Sequence, residues 1–205
     1  MKLAMPLVGW ILFLVTSSTA FAVAEPSTSA DPEALGPALQ HGGYIIFLRH
    51  AMEDGVDQSP IDVDDCETQQ YLTDEGVAQA LAIGEQFRTL GIPVGRVVSS
   101  QYCRAYDTAV LAFGDAELLD FLTPPAGLSP AAQEAQPDAL LHFLATPPEA
   151  GTNIVVASHG AVLLAFVGVP IERAEAAIFA PDGAGGFTFV TILGWDEWSA
   201  LAGLD

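Results

Sequence analysis

The feature that most constrains the fold is a set of short, continuous apolar runs set apart by segments carrying helix signals. Residues 44–48 (YIIFL) and 153–157 (NIVVA) are apolar at every position or nearly so. That is the pattern of a strand covered on both faces, not of one half in water. Residues 96–99 (RVVS) form a shorter run of the same kind. Between them lie predicted helices. One runs from Thr73, which can cap it, to about Leu90, where Gly91-Ile92-Pro93 stops it; Asp74 and Glu75 suit its positive N-terminal end. A second spans residues 102–113, a third lies within 129–146 behind Ser129-Pro130, and a fourth begins at Ala161. Residues 117–121 read as a short strand, and 176–179 with 187–193 as a hairpin around the turn 181–186. Residues 51–71 read as a long acidic loop. Strand and helix in alternation predict a three-layer α/β/α sandwich with a mostly parallel central sheet. Ligands of such sheets bind at the carboxyl ends of the strands.

The N-terminus reads as an address. Lys2 precedes an apolar run at residues 7–15, and small-x-small sites follow at Ala20-Phe21-Ala22 and Ala22-Val23-Ala24. This is the layout of a secretory signal peptide over residues 1–24, with cleavage near Ala22 or Ala24 and a periplasmic or secreted destination. The competing reading is an uncleaved N-terminal anchor, but the run is short for a membrane span. Residues 25–42 read as a flexible lead-in rich in Pro, Ser and Ala. Residues 43–205 then form one domain with one sizeable core.

Charge narrows the partners. There are 26 acidic residues against six basic ones, a formal charge of -20. The single Lys is Lys2, so the mature chain carries five Arg and no Lys. Nucleic acid and anionic membrane surfaces are excluded as partners, and a small phosphorylated substrate is favoured over a polyanion. The acidity itself reads as solubility. So few cations make each remaining one informative. The two cysteines, Cys66 and Cys103, lie 37 positions apart. In an exported chain they suggest a disulfide, worth about 4 kcal/mol in the chain-entropy picture. The alternative is a pair of unlinked small apolar side chains. Two Cys without nearby His make no zinc set, and no metal or other cofactor is expected.

Three predicted strands end in chemistry: Leu48-Arg49-His50-Ala51, the stretch from Ser99 to Arg104, and Ala157-Ser158-His159-Gly160. Taken singly, an Arg-His pair or a Ser-His-Gly is most often a satisfied polar group. Together at strand ends, Arg49, His50, Arg104 and His159 would converge on one anion. Guanidinium forks match phosphate oxygens. A neutral imidazole can attack phosphorus, and a second, protonated one can stabilise charge on the equatorial oxygens.

In this order and context the segments resemble the histidine phosphatase superfamily, in its phosphoglycerate mutase-like branch. The resemblance is carried by Phe47-Leu48-Arg49-His50-Ala51, by the stretch from Leu72-Thr73-Asp74-Glu75-Gly76 to Ala80, by Val98 to Ala109 around Arg104, and by Val155-Val156-Ala157-Ser158-His159-Gly160. It implies that His50 is the covalent phosphate acceptor and that Arg49, Arg104 and His159 bind and polarise the phosphoryl group. It also implies a phosphatase acting on a phosphomonoester or phosphohistidine, which the N-terminal layout would export.

Two positions depart from the family pattern. Ala51 stands where the family has Gly, which the backbone tolerates at negative φ. The proton donor has no clean counterpart; Asp120, Glu117, Glu53 and Asp54 are the candidates. Without an efficient donor the chain would be a weak or idle phosphate-binding module of the same fold. A mutase is disfavoured by export and by the short chain. His41, His142, Trp195 and Trp198 read as surface or packing residues. The acidic loop lacks a calcium-loop pattern.

Overall fold

The structure, a computed structural model, describes residues 32–202. The signal peptide and residues 25–31 lie outside the described residues. The elements run α1 (Pro32–His41), β1 (Ile45–Arg49), β2 (Glu53–Asp54), β3 (Tyr71–Leu72), α2 (Asp74–Leu90), β4 (Val94–Ser99), α3 (Cys103–Phe113), β5 (Glu117–Leu118), α4 (Pro130–Leu144), β6 (Asn153–Ser158), α5 (Gly160–Val167), β7 (Ala176–Pro181) and β8 (Phe187–Leu193), with short 3₁₀ turns between some of them.

Six strands form one sheet in the order β5-β4-β6-β1-β7-β8. β5, β4, β6 and β1 are parallel, while β7 and β8 run antiparallel at the far side. The apolar runs segregate by the two-residue period of a strand. Ile46, Leu48 and Val155 face α1, α2 and Trp198, whereas Ile45, Phe47, Ile154 and Val156 face α4 and α5. Both faces are thus covered, which is why these strands read as continuous apolar runs.

The flexible lead-in expected over residues 25–42 is corrected at its C-terminal part. Residues Pro32–His41 form a helix with Leu35 and Leu39 buried in the core, and the Gln40 amide donates to the Leu90 carbonyl at 2.7 Å. Leu35 and Leu39 stand four apart, on one face. Gly36 and Pro37 between them lower helix propensity and disguise the pattern. The loop at 51–71 also holds order. Glu53 and Asp54 pair with Leu72 and Tyr71, and Cys66 is joined to Cys103 by a disulfide. That bond ties the loop to the first residue of α3.

Helix α2 begins where the sequence signals. The Thr73 hydroxyl accepts from the Gly76 amide, and Gly91 closes the helix in the left-handed conformation. Gly76 is required here for space, because a side chain there would run into the Met52 carbonyl. Among the described residues no helix is long and apolar enough to cross a membrane.

Candidate active site

Strand register sets the site. Arg49 on β1 lies level with Ser158 on β6, and Ser99 on β4 with Ala157. Three parallel strands therefore end together. His50 follows β1, His159 follows β6 and heads α5, and Arg104 sits in the first turn of α3, which follows β4. The two imidazole rings lie 5.1 Å apart, and His50, His159 and Arg104 are all buried. The four residues expected to converge do converge.

The His50 ring is fixed from behind. Its Nδ1 lies 3.0 Å from the Ala51 carbonyl oxygen. A carbonyl only accepts, so Nδ1 carries the hydrogen and Nε2 keeps its lone pair when the ring is neutral. Burial pushes the ring's pKa down to about 4, helped by the Arg104 and Arg49 charges and opposed by the Ala51 carbonyl and Glu53. His50 is therefore neutral near pH 7. His159 is also driven well below its ordinary value, first by burial and then by His50, Arg104 and Arg49. The protonated second imidazole expected from sequence is thus not the resting state. His159 Nε2 sits 2.9 Å from the Ser100 hydroxyl and its ring packs edge-on to Tyr102.

Each guanidinium is anchored by its terminal nitrogens. Arg49 donates from Nη1 to the Ile171 carbonyl at 3.1 Å. Arg104 donates to both carboxylate oxygens of Asp57, at 3.0 and 3.3 Å, and stacks over Tyr102. The Nε–H of each is buried and has no partner within the protein. A buried charged donor left unpaired is costly unless a ligand meets it. Two such donors beside a neutral imidazole suit a phosphoryl group. Gly160 explains why no side chain follows His159: a Cβ there would crowd Arg49 and the Ile171 carbonyl.

The four proton-donor candidates separate. Only Glu53 is in the site, its carboxylate 3.4 Å from His50 Nδ1 and almost fully covered. It lies on the Nδ1 side, away from the nitrogen that would meet phosphorus, and accepts from Arg173 Nε at 2.7 Å. Burial would raise the Glu53 carboxyl, but the Arg173 hydrogen bond and neighbouring positive charge outweigh it and hold the group below its ordinary range. Glu117 pairs with Arg96 on the sheet edge. Asp54 is exposed and accepts from the Gly55 amide. Asp120 is exposed on a 3₁₀ turn.

Sequence reasoning missed Asp57, Arg173 and Ala174. With Arg49 and Arg104, Arg173 makes three of five Arg at this one site; the scarcity of cations was the signal that could have found it. Asp57 had no signal within the acidic loop. Ala51 has no positive φ, so its Cβ fits; Ala174, buried at φ 59°, is the one non-glycine residue with positive φ among the described residues.

The strand ends of this α/β sheet thus bring two histidines and two guanidiniums together. The family model described as histidine phosphatase superfamily (branch 1) matches residues 45–123, the stretch that carries Arg49, His50 and Arg104. No curated protein sequence matches the chain. Among solved structures, a putative alpha-ribazole-5'-P phosphatase from Escherichia coli aligns with TM-score 0.56 at 16% identity, covering 75% of this chain and 98% of that one. The protein histidine phosphatase SixA complexed with tungstate aligns with TM-score 0.53 at 20% identity, covering 75% and 98%. A mycobacterial glucosyl-3-phosphoglycerate phosphatase aligns with TM-score 0.52 at 16% identity over the same shares. These likenesses establish a shared fold.

Proposed function

We propose that the chain is an exported phosphatase that moves a phosphoryl group from a small phosphorylated substrate to His50 Nε2 and then to water. The observation that carries this reading is the pair of buried, unpartnered guanidinium Nε–H donors of Arg49 and Arg104, whose charges both act on a neutral His50 with Nδ1 held on a carbonyl. Arg49, Arg104 and His159 bind and polarise the phosphoryl oxygens, while the lone pair of Nε2 attacks phosphorus. Export rests on the signal-peptide layout of residues 1–24; N-terminal analysis of protein recovered from the periplasm or medium tests it, with an N-terminus at residue 23 or 25 expected.

The substrate class follows from the leaving group. Of the carboxylates that contact the site, Glu172 lies 3.8 Å from Arg49 and is mostly exposed, while Glu53 and Asp57 are each tied closely to a guanidinium. Neither is disposed to protonate a departing alkoxide, so groups that leave readily are favoured: phosphohistidine, acyl or aryl phosphates. The relatives include a protein histidine phosphatase, which fits phosphohistidine as substrate. The same observation favours, as a second reading, an idle phosphate-binding module. Rates over a panel of phosphates with graded leaving groups separate the two: turnover rising steeply as the leaving group improves supports the phosphatase, and binding of vanadate with no turnover on any member supports the idle module.

A further inference from the structure

The segment between α5 and β7 packs against the nucleophile in a way the phosphate pocket alone does not require. The Ile171 carbonyl accepts from Arg49, the Ala174 amide donates to the His50 carbonyl at 3.2 Å, and the Arg49 amide donates to the Glu175 carbonyl at 2.9 Å. Between these anchors Arg173 reaches back to Glu53. Ala174 carries a Cβ in the left-handed region while fully buried. Strain of this kind persists only where surrounding contacts enforce it, and it gathers at functional sites. Its position here directs the neighbouring Arg173 onto the carboxylate beside His50.

We propose that Glu53, oriented by Arg173, is a positioning residue that stabilises the cationic phosphohistidine form of His50. The inference rests on the phosphatase reading above. When Nε2 bonds to phosphorus, the bond from phosphorus to the leaving atom breaks, and its electron pair departs with that atom, which takes a proton from water. The ring keeps its Nδ1 hydrogen on the Ala51 carbonyl and becomes positively charged. The Glu53 carboxylate, 3.4 Å from Nδ1 and 5% exposed, is the anion nearest that charge and offsets it with little screening. Water then attacks phosphorus, the P–N bond returns its pair to Nε2, the attacking water gives up its proton to solvent, and the ring is neutral again. Arg104 and Arg49 both disfavour positive charge on the ring, and Glu53 is the carboxylate that favours it.

This assigns opposite effects to the two half-reactions. Rapid-quench measurements with 4-nitrophenyl phosphate on full-length protein separate phosphorylation of His50 from hydrolysis of the phosphoenzyme. Glu53→Gln is expected to slow phosphorylation about tenfold and to quicken hydrolysis several-fold, since it destabilises the cation between two neutral ring states. Glu53→Asp, which retracts the charge by one methylene, shifts both steps the same way by less, and serves should the Gln variant fail to fold. A lesion in structure alone slows both steps. Unchanged rates, or two steps slowed together, overturn the proposal while a wild-type phosphohistidine leaves the phosphatase reading intact. If wild-type protein forms no phosphohistidine, both fall.

Discussion

His50 owes its chemistry to surroundings that deny it a charge. Its pKa of about 4 lies below the ordinary 6.5, chiefly because burial penalises the cation. Only the neutral ring attacks phosphorus, so activity should fall as pH drops through about 4. The acid limb of kcat/KM is therefore expected well below 5, and a limb near 6.5 would show that the ring is not shielded in this way. The same depression bears on stability. Between about 6.5 and about 4 the unfolded chain binds a proton that native His50 refuses, so the native state loses stability on acidification through that window. His50→Asn should flatten the pH dependence of a urea midpoint there, with the buried His159 left to supply the remainder. Arg104 is a second case. Its terminal nitrogens are committed to Asp57 and its Nε–H is free. Arg104→Lys replaces the planar fork with a point charge that cannot hold Asp57 at two oxygens and present a further donor in a fixed direction, and kcat/KM should fall by about 100-fold or more.

The elements show what the sequence made legible and what it concealed. Strands β1 and β6 were readable because both faces are buried and their inner positions are apolar, and β4 from the shorter apolar run at its buried end; α2 was readable from its capping threonine and terminal glycine. Helix α1 was not, since its Leu35 and Leu39 are interrupted by Gly36 and Pro37. It nevertheless belongs to the core, so Leu39→Ala should cost about 2–5 kcal/mol in a denaturant titration. No measurable loss would mean that α1 is an appendage. Among the site residues, Arg49, His50, Arg104 and His159 were legible because they end strands. Asp57 and Arg173 reach the site from loops, where no period marks them, and only tertiary packing brings them in. Glu53 appeared among the candidate acids, but its side of the ring and its partner Arg173 became visible only once the loop at 171–175 was folded against β1. The Cys66–Cys103 bond pins the Asp57-bearing loop to α3. Replacing both cysteines with serine should cost about 2–4 kcal/mol by the chain-entropy argument, read as a lowered urea midpoint.

At the scale of the whole molecule, a strongly acidic chain has gathered three of its five Arg at one edge of its sheet. The remaining two, Arg88 and Arg96, pair with Glu85 and Glu117 on the surface. The global charge repels polyanions, and the local charge offers two free guanidinium donors to a single small anion. That arrangement is what the proposed phosphate site requires in a protein of formal charge -20. The central claim is that His50 becomes phosphorylated. Protein mixed with radiolabelled 4-nitrophenyl phosphate, quenched in alkaline denaturant and mapped by mass spectrometry, should carry one phosphoryl group on His50, absent from His50→Ala. Turnover with no label on His50, or label that persists in His50→Ala, would contradict it.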